Sequence, residues 1–183
     1  IGLGAETTTV DLDVPGDLPT GLSGCLLAIG PGPASQRGPS AGMVHSVHLH
    51  AGGAASYRSR GVVTDAVARQ LGVDPSPGPR NDGPDVIASN IVVFGGSILA
   101  LGERSLAYEL SPDLDTLRRV DLAGQSRGLG PNPRRDPLTG DLHVLAAAAP
   151  GGAQAAHVVV AANALTRTSR TITTAPNQVK ELA

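Results

Sequence analysis

Apolar and polar positions alternate with a period of two along much of this chain. In residues 43–50, Met43, His45, Val47 and Leu49 fall on one side, and Val44, Ser46, His48 and His50 on the other. That is strand geometry. A second extended run, about 54–63, follows the Gly52-Gly53 turn signal and predicts a hairpin. The clearest hairpin joins Asn90–Phe94 to Ser97–Leu101 through Gly95-Gly96, because two glycines can both take the positive φ of a tight two-residue turn. Leu106–Leu110, Leu117–Leu122, Asp141–Ala147 and Ala156–Ala162 read as further strands, with turns at Ser111-Pro112-Asp113 and at Asp136–Gly140. Only 64–71 reads as a helix, capped by Thr64 and ended by Gly72. Three Pro- and Gly-rich loops are expected at 30–41, 74–85 and 123–135. Short strands about ten residues apart predict an all-β fold: a sandwich, a barrel or propeller blades.

Composition narrows this picture. The chain has 183 residues, of which 40% are hydrophobic, so it can bury a core and suits one domain or part of one. Tyr57, Phe94 and Tyr108 are its only aromatic residues, so Val, Leu, Ile and Ala must build that core. The 24 glycines and 15 prolines supply its turns. A net charge of −2 gives no footprint for nucleic acid. Cys25 is the single cysteine, which excludes a disulfide framework and a multi-cysteine zinc site. No apolar run nears the roughly 20 residues of a membrane span, and no basic-then-apolar leader is visible. A cytoplasmic location is expected.

Several local patterns invite chemistry. His48 and His50 share a strand face and could chelate a metal, but without a nearby carboxylate they read as solvent-facing histidines. Gly124-Gln125-Ser126-Arg127-Gly128 fits a hydrolase nucleophile elbow, but Pro131 and Pro133 follow where that motif needs a helix. Asp11, Asp13, Asp113 and Asp115 read as turn-capping carboxylates. Cys25 reads as a buried, inert thiol, and Arg134-Arg135 as a solvated loop.

The order of motifs resembles the N-terminal part of the carotenoid cleavage oxygenases, the family of the lignostilbene dioxygenases and the retinoid isomerase. The likeness rests on Leu18-Pro19 with Leu22 and Gly24, Gly30-Pro31-Gly32-Pro33, Gly42-Met43-Val44-His45, Tyr57-Arg58-Ser59-Arg60 and Ser89-Asn90. It continues through Leu99-Ala100-Leu101-Gly102-Glu103, Tyr108-Glu109-Leu110, Asp115-Thr116-Leu117 and Pro131-Asn132-Pro133-Arg134-Arg135-Asp136-Pro137-Leu138-Thr139-Gly140. These keep the family order from about residue 10 to residue 145.

The resemblance implies a seven-bladed β-propeller, of which residues 1–183 form an incomplete N-terminal part of a single domain. The first residue, Ile1 rather than Met, fits that reading. It also implies Fe(II) held by four histidines, with O2 cleaving a conjugated double bond of an apolar carotenoid, apocarotenoid or stilbene. Asn132 stands at the first ligand position, where an amide replaces imidazole. Glu103 matches a glutamate that orients a ligating histidine. Gly42, Met43, His45, Asp136, Pro137 and Gly140 match structural motif positions. Ala28-Ile29 replaces Arg-Asn, and Ala41 replaces an Asp. With no ligand histidine assignable, this chain alone is not expected to be catalytically competent. A partial ring also leaves faces and edges open, so poor solubility or partner-dependent folding is expected. The alternatives are a non-catalytic propeller-type binding or interaction module and an unrelated all-β binding module.

Overall fold

The protein is described here as a computed structural model covering residues 6–32, 42–81, 85–103, 105–122, 130, 132–146, 154–163 and 167–173. Its strands form three four-stranded antiparallel sheets, met in order along the chain. The first contains β1 (Thr7–Thr9), β2 (Gly24–Pro31), β3 (Gly42–Leu49) and β4 (Ala55–Gly61), ordered β1-β4-β3-β2. The helix α1 (Asp65–Leu71) follows. The second sheet runs β5 (Asn90–Phe94), β6 (Ser97–Leu101), β7 (Ala107–Leu110) and β8 (Thr116–Val120) as a simple meander. The third repeats that meander with β9 (Arg134–Arg135), β10 (Leu142–Ala146), β11 (Gln154–Val160) and β12 (Arg167–Thr173).

The middle sheet is buried on both faces, and alternation along its strands explains how. Leu99 and Leu101 of β6 and Ala107 of β7 face the third sheet, packing with Phe94, Leu142, Val144, Val158 and Val160. Ile98, Ala100, Tyr108 and Leu110 face the first sheet, packing with Val44, Leu27, Ile29 and Ile87. Each large aliphatic side chain so buried contributes about 1.5–3 kcal/mol. The core is aliphatic, with Phe94 serving one interface and Tyr108 the other.

The strongest local predictions hold. Gly95 and Gly96 take φ of 59° and 82° and close the β5–β6 hairpin. Thr64 caps α1 by accepting the Val67 N–H, and Gly72 ends it at φ 71°. Gly42 has a different role: a Cβ there would lie 1.7 Å from the Ile87 carbonyl oxygen. Only glycine lets the 86–87 segment pass against the start of β3.

Four expectations need correction. The loop expected from residue 30 starts later, because Gly30 and Pro31 close β2, paired with Met43 and Gly42. The loop expected at 123–135 ends in β9, so Arg134-Arg135 is an exposed edge strand paired with His143 and Leu142. A two-residue strand is too short to show alternation. Cys25 is exposed rather than buried, because β2 is an edge strand. Asp113 does not cap its turn. Ser111 Oγ accepts the Asp113 and Asp115 N–H groups, while the Asp113 carboxylate pairs with Arg58. The 124–128 motif lies outside the described residues.

Candidate functional site

Asn132 is exposed, two residues before β9. Glu103 is exposed directly after Gly102 at the end of β6. Among the described residues no hydrogen bond or ion pair joins the two. Between Asn132 and β10, Asp136 organises the turn. Its Oδ1 accepts the Leu138 and Thr139 N–H groups, its own N–H donates to Asp141 O, and its carbonyl accepts the Gly140 N–H. Gly140 sits at φ 77°. Pro137 fills the turn position that its fixed φ suits. Met43 is buried at the start of β3, beside Gly42.

All five histidines are engaged within their own sheets. His45 Nδ1 is 2.7 Å from the Tyr57 hydroxyl, and the two rings stack. His48 Nε2 is 3.5 Å from Cys25 Sγ, a neighbour that the β2–β3 register puts directly opposite. Cys25 is exposed overall, but partial desolvation of its sulfur raises the thiol pKa, so the thiol form is favoured. His50 Nε2 meets Ser56 Oγ at 3.0 Å. His143 Nδ1 and His157 Nε2 lie 3.1 Å apart. Among the described residues no group of three or more His, Cys, Asp or Glu converges as a metal site.

The best-formed polar constellation went unread in the sequence. Arg119 of β8 is buried, and its Nη1 donates to Asp65 Oδ2 at 2.9 Å. Its Nη2 lies 3.7 Å from Asp85 Oδ1, and its guanidinium stands 5.4 Å over the Tyr108 ring. The Tyr108 hydroxyl donates to Asp85 Oδ1 at 3.0 Å and accepts the Asp65 N–H at 3.0 Å. Asp85 Oδ2 accepts the Ala66 N–H at the start of α1. Arg80 also donates to Asp65. Burial is the main cause that pushes the Tyr108 hydroxyl well above the usual tyrosine range. These groups clamp α1, Arg80 and Asp85 onto the middle sheet. The only sequence signal was Asp65 in a first helical turn.

Three consecutive antiparallel sheets stacked face to face define a β-propeller type of protein. Solved structures match that architecture. The lignostilbene dioxygenase of Pseudomonas brassicacearum superposes with a TM-score of 0.76 at 24% identity, over 94% of this chain and 40% of that one. A Synechocystis apocarotenoid oxygenase variant gives 0.74 at 20% identity, over 92% and 43%. The family described as Retinal pigment epithelial membrane protein (RPE65) matches residues 3–180, and the chain belongs to it. A carotenoid cleavage oxygenase of Mycobacterium tuberculosis is 37% identical over 155 residues, 76% of this chain. An isoeugenol monooxygenase of Pseudomonas putida is 28% identical over 167 residues. The chain spans about 30% of the first relative's length and 35% of the second's.

A four-imidazole iron centre does not fit the residues described. Four of the five histidines lie within β3, β10 and β11, and His50 directly follows β3. Each has its hydrogen-bond partner within its own sheet, and no three donors share a point. No helix among the described residues is long and apolar enough to cross a membrane.

Proposed function

We propose that residues 1–183 supply consecutive N-terminal blades of a single propeller domain of the oxygenase type, and that by themselves they act as scaffold rather than catalyst. The observation that carries this reading is Asn132. It precedes β9, in the segment where the family resemblance expects an iron-ligating histidine, and a neutral amide is a poor substitute for imidazole on Fe(II). Glu103 would orient a ligating imidazole in a complete site, while Gly42, Met43, His45 and the Asp136–Gly140 turn keep the blades in place. The whole domain would act on an apolar conjugated compound, by analogy with relatives named for carotenoid and lignostilbene oxidation. A cytoplasmic location suits a chain with a single cysteine.

Anaerobic reconstitution with Fe(II), elemental analysis and oxygen consumption with a stilbene or an apocarotenoid test this reading. Iron well below one equivalent and no substrate-dependent oxygen uptake are expected. Stoichiometric iron with turnover would overturn it in favour of a catalytic chain.

A further inference from the structure

The outward face of the third sheet carries the two histidines that no sequence motif singled out. Antiparallel pairing sets His143 opposite Val159 and His157 opposite Leu145. The imidazoles are therefore diagonal neighbours on one face, while Leu142, Val144, Val158 and Val160 point the other way, into the core. The rings stack with centroids 5.2 Å apart, and His143 Nδ1 faces His157 Nε2 at 3.1 Å. Two imidazoles at that distance share one proton: one nitrogen donates and the other must keep its lone pair. Both side chains are partly buried.

We infer that this pair is a two-point chelate for a borderline divalent ion, with Cu(II) or Ni(II) the best match. Metal–imidazole bonds of about 2.0–2.1 Å place cis nitrogens about 2.9 Å apart at a square-planar metal and about 3.4 Å at a tetrahedral one. The observed 3.1 Å lies between them. The spacing suits a cis chelate; because the rings stack at 25°, rotation about the side-chain torsions is needed to turn both in-plane lone pairs onto one ion, while rigid strands hold the two backbones in register. Water completes the coordination. The surroundings limit the affinity. Arg134 of β9 is paired with His143, Arg170 of β12 is paired with His157, and both arginines are exposed on the same face. Asp141, two residues before His143, is the carboxylate nearest along β10, and its Oδ1 already accepts the Ala162 N–H. The site is thus an exchangeable one. It is separate from the iron reading, since Asn132 and Glu103 take no part.

The experiment is a titration of the whole 183-residue chain with Cu(II) alone, followed by calorimetry, electron paramagnetic resonance and histidine NMR. One equivalent should bind with a two-nitrogen signature, and the His143 and His157 resonances should broaden before those of His45, His48 and His50. His143→Gln/His157→Gln should weaken binding by about tenfold or more, whereas His48→Gln/His50→Gln should leave it unchanged. Circular dichroism checks that each variant folds. Should the first variant fail to fold, the order of NMR broadening in the unmodified chain decides. No binding, broadening that begins at His48 and His50, or an unchanged isotherm in a folded His143/His157 variant would overturn the inference.

Discussion

Asp65 and Asp85 on the rim of the middle sheet, and Glu103 at the end of β6, show two uses of a carboxylate. The first two are nearly enclosed and answer one buried guanidinium, a tyrosine hydroxyl and the Ala66 N–H in the first turn of a helix. Glu103 is exposed, and among the described residues it has no hydrogen-bond or ion-pair partner. The rim is assembled from groups between 65 and 119, although the buried Arg119 Nε has no hydrogen-bond partner. Glu103 and Asn132 are exposed and make no such contacts among the described residues. The number of partners among the described residues, more than the type of residue, separates the two regions.

Breaking the rim should have the largest effect. Arg119→Ala leaves the exposed Arg80 as the one cation on Asp65 among the described residues and removes the cation facing Asp85. Loss of a buried partner of this kind costs about 3–5 kcal/mol, and urea denaturation reads it directly. A loss below about 1 kcal/mol, the range of exposed pairs, would show that the rim is no more integrated than Glu103.

Tyr108 sharpens the same contrast through pH. Burial favours its neutral form, so its folded pKa lies above the ordinary value of about 10. The stabilisation is fully present below that ordinary value. It declines as pH rises beyond it, because the unfolded chain loses the proton first. Tyr108→Phe should flatten this alkaline decline. At neutral pH it should cost about 1–3 kcal/mol, since Asp85 loses a donor and the Asp65 N–H its acceptor. Stability curves at pH 7 and pH 10–11 for both chains test this, and parallel declines would refute it.

Glu109 is an intermediate case. Ser97 Oγ donates to its Oε1 at 2.6 Å and Arg118 to its Oε2, and the Ser97 bond is the main cause that lowers its pKa. A lowered folded value stabilises above the ordinary glutamate pKa of about 4.3, and the gain disappears as pH falls through the folded value. Glu109→Gln should cost about 1 kcal/mol at pH 7 and almost nothing at pH 2–3. A cost that is independent of pH would mean that packing, not charge, holds the β6–β7 hairpin.

These regions also differ in how far the sequence revealed them. The Gly95-Gly96 hairpin, the Thr64 cap and the two faces of β3 were legible because each is set by residues a few positions apart. β1, β2 and β12 were not. Thr7–Thr9 is short, Gly24–Pro31 hides its strand behind Gly and Pro, and Arg167–Thr173 is mostly polar. The Arg119 network, Cys25 beside His48 and the His143–His157 pair were invisible because register and tertiary packing create them. Asn132 and Glu103 were found only through motif order. The structure fixes their places but adds no partner that would define a role.

The smallest change is expected there. Asn132→His and Glu103→Gln alter exposed side chains without recorded partners, so each should shift stability by no more than about 0.5 kcal/mol. Their value lies in the iron readout. One imidazole at position 132 adds a single ligand where no three donors converge, so Asn132→His alone should leave iron below one equivalent. The same substitution in a longer chain that supplies further histidines should restore iron binding. Glu103→Gln should then weaken it about 10–100-fold, the usual effect of losing a carboxylate that orients a ligating imidazole. If Asn132→His destabilised the chain by several kcal/mol, position 132 would belong with the buried rim, and the contrast between the two regions would collapse.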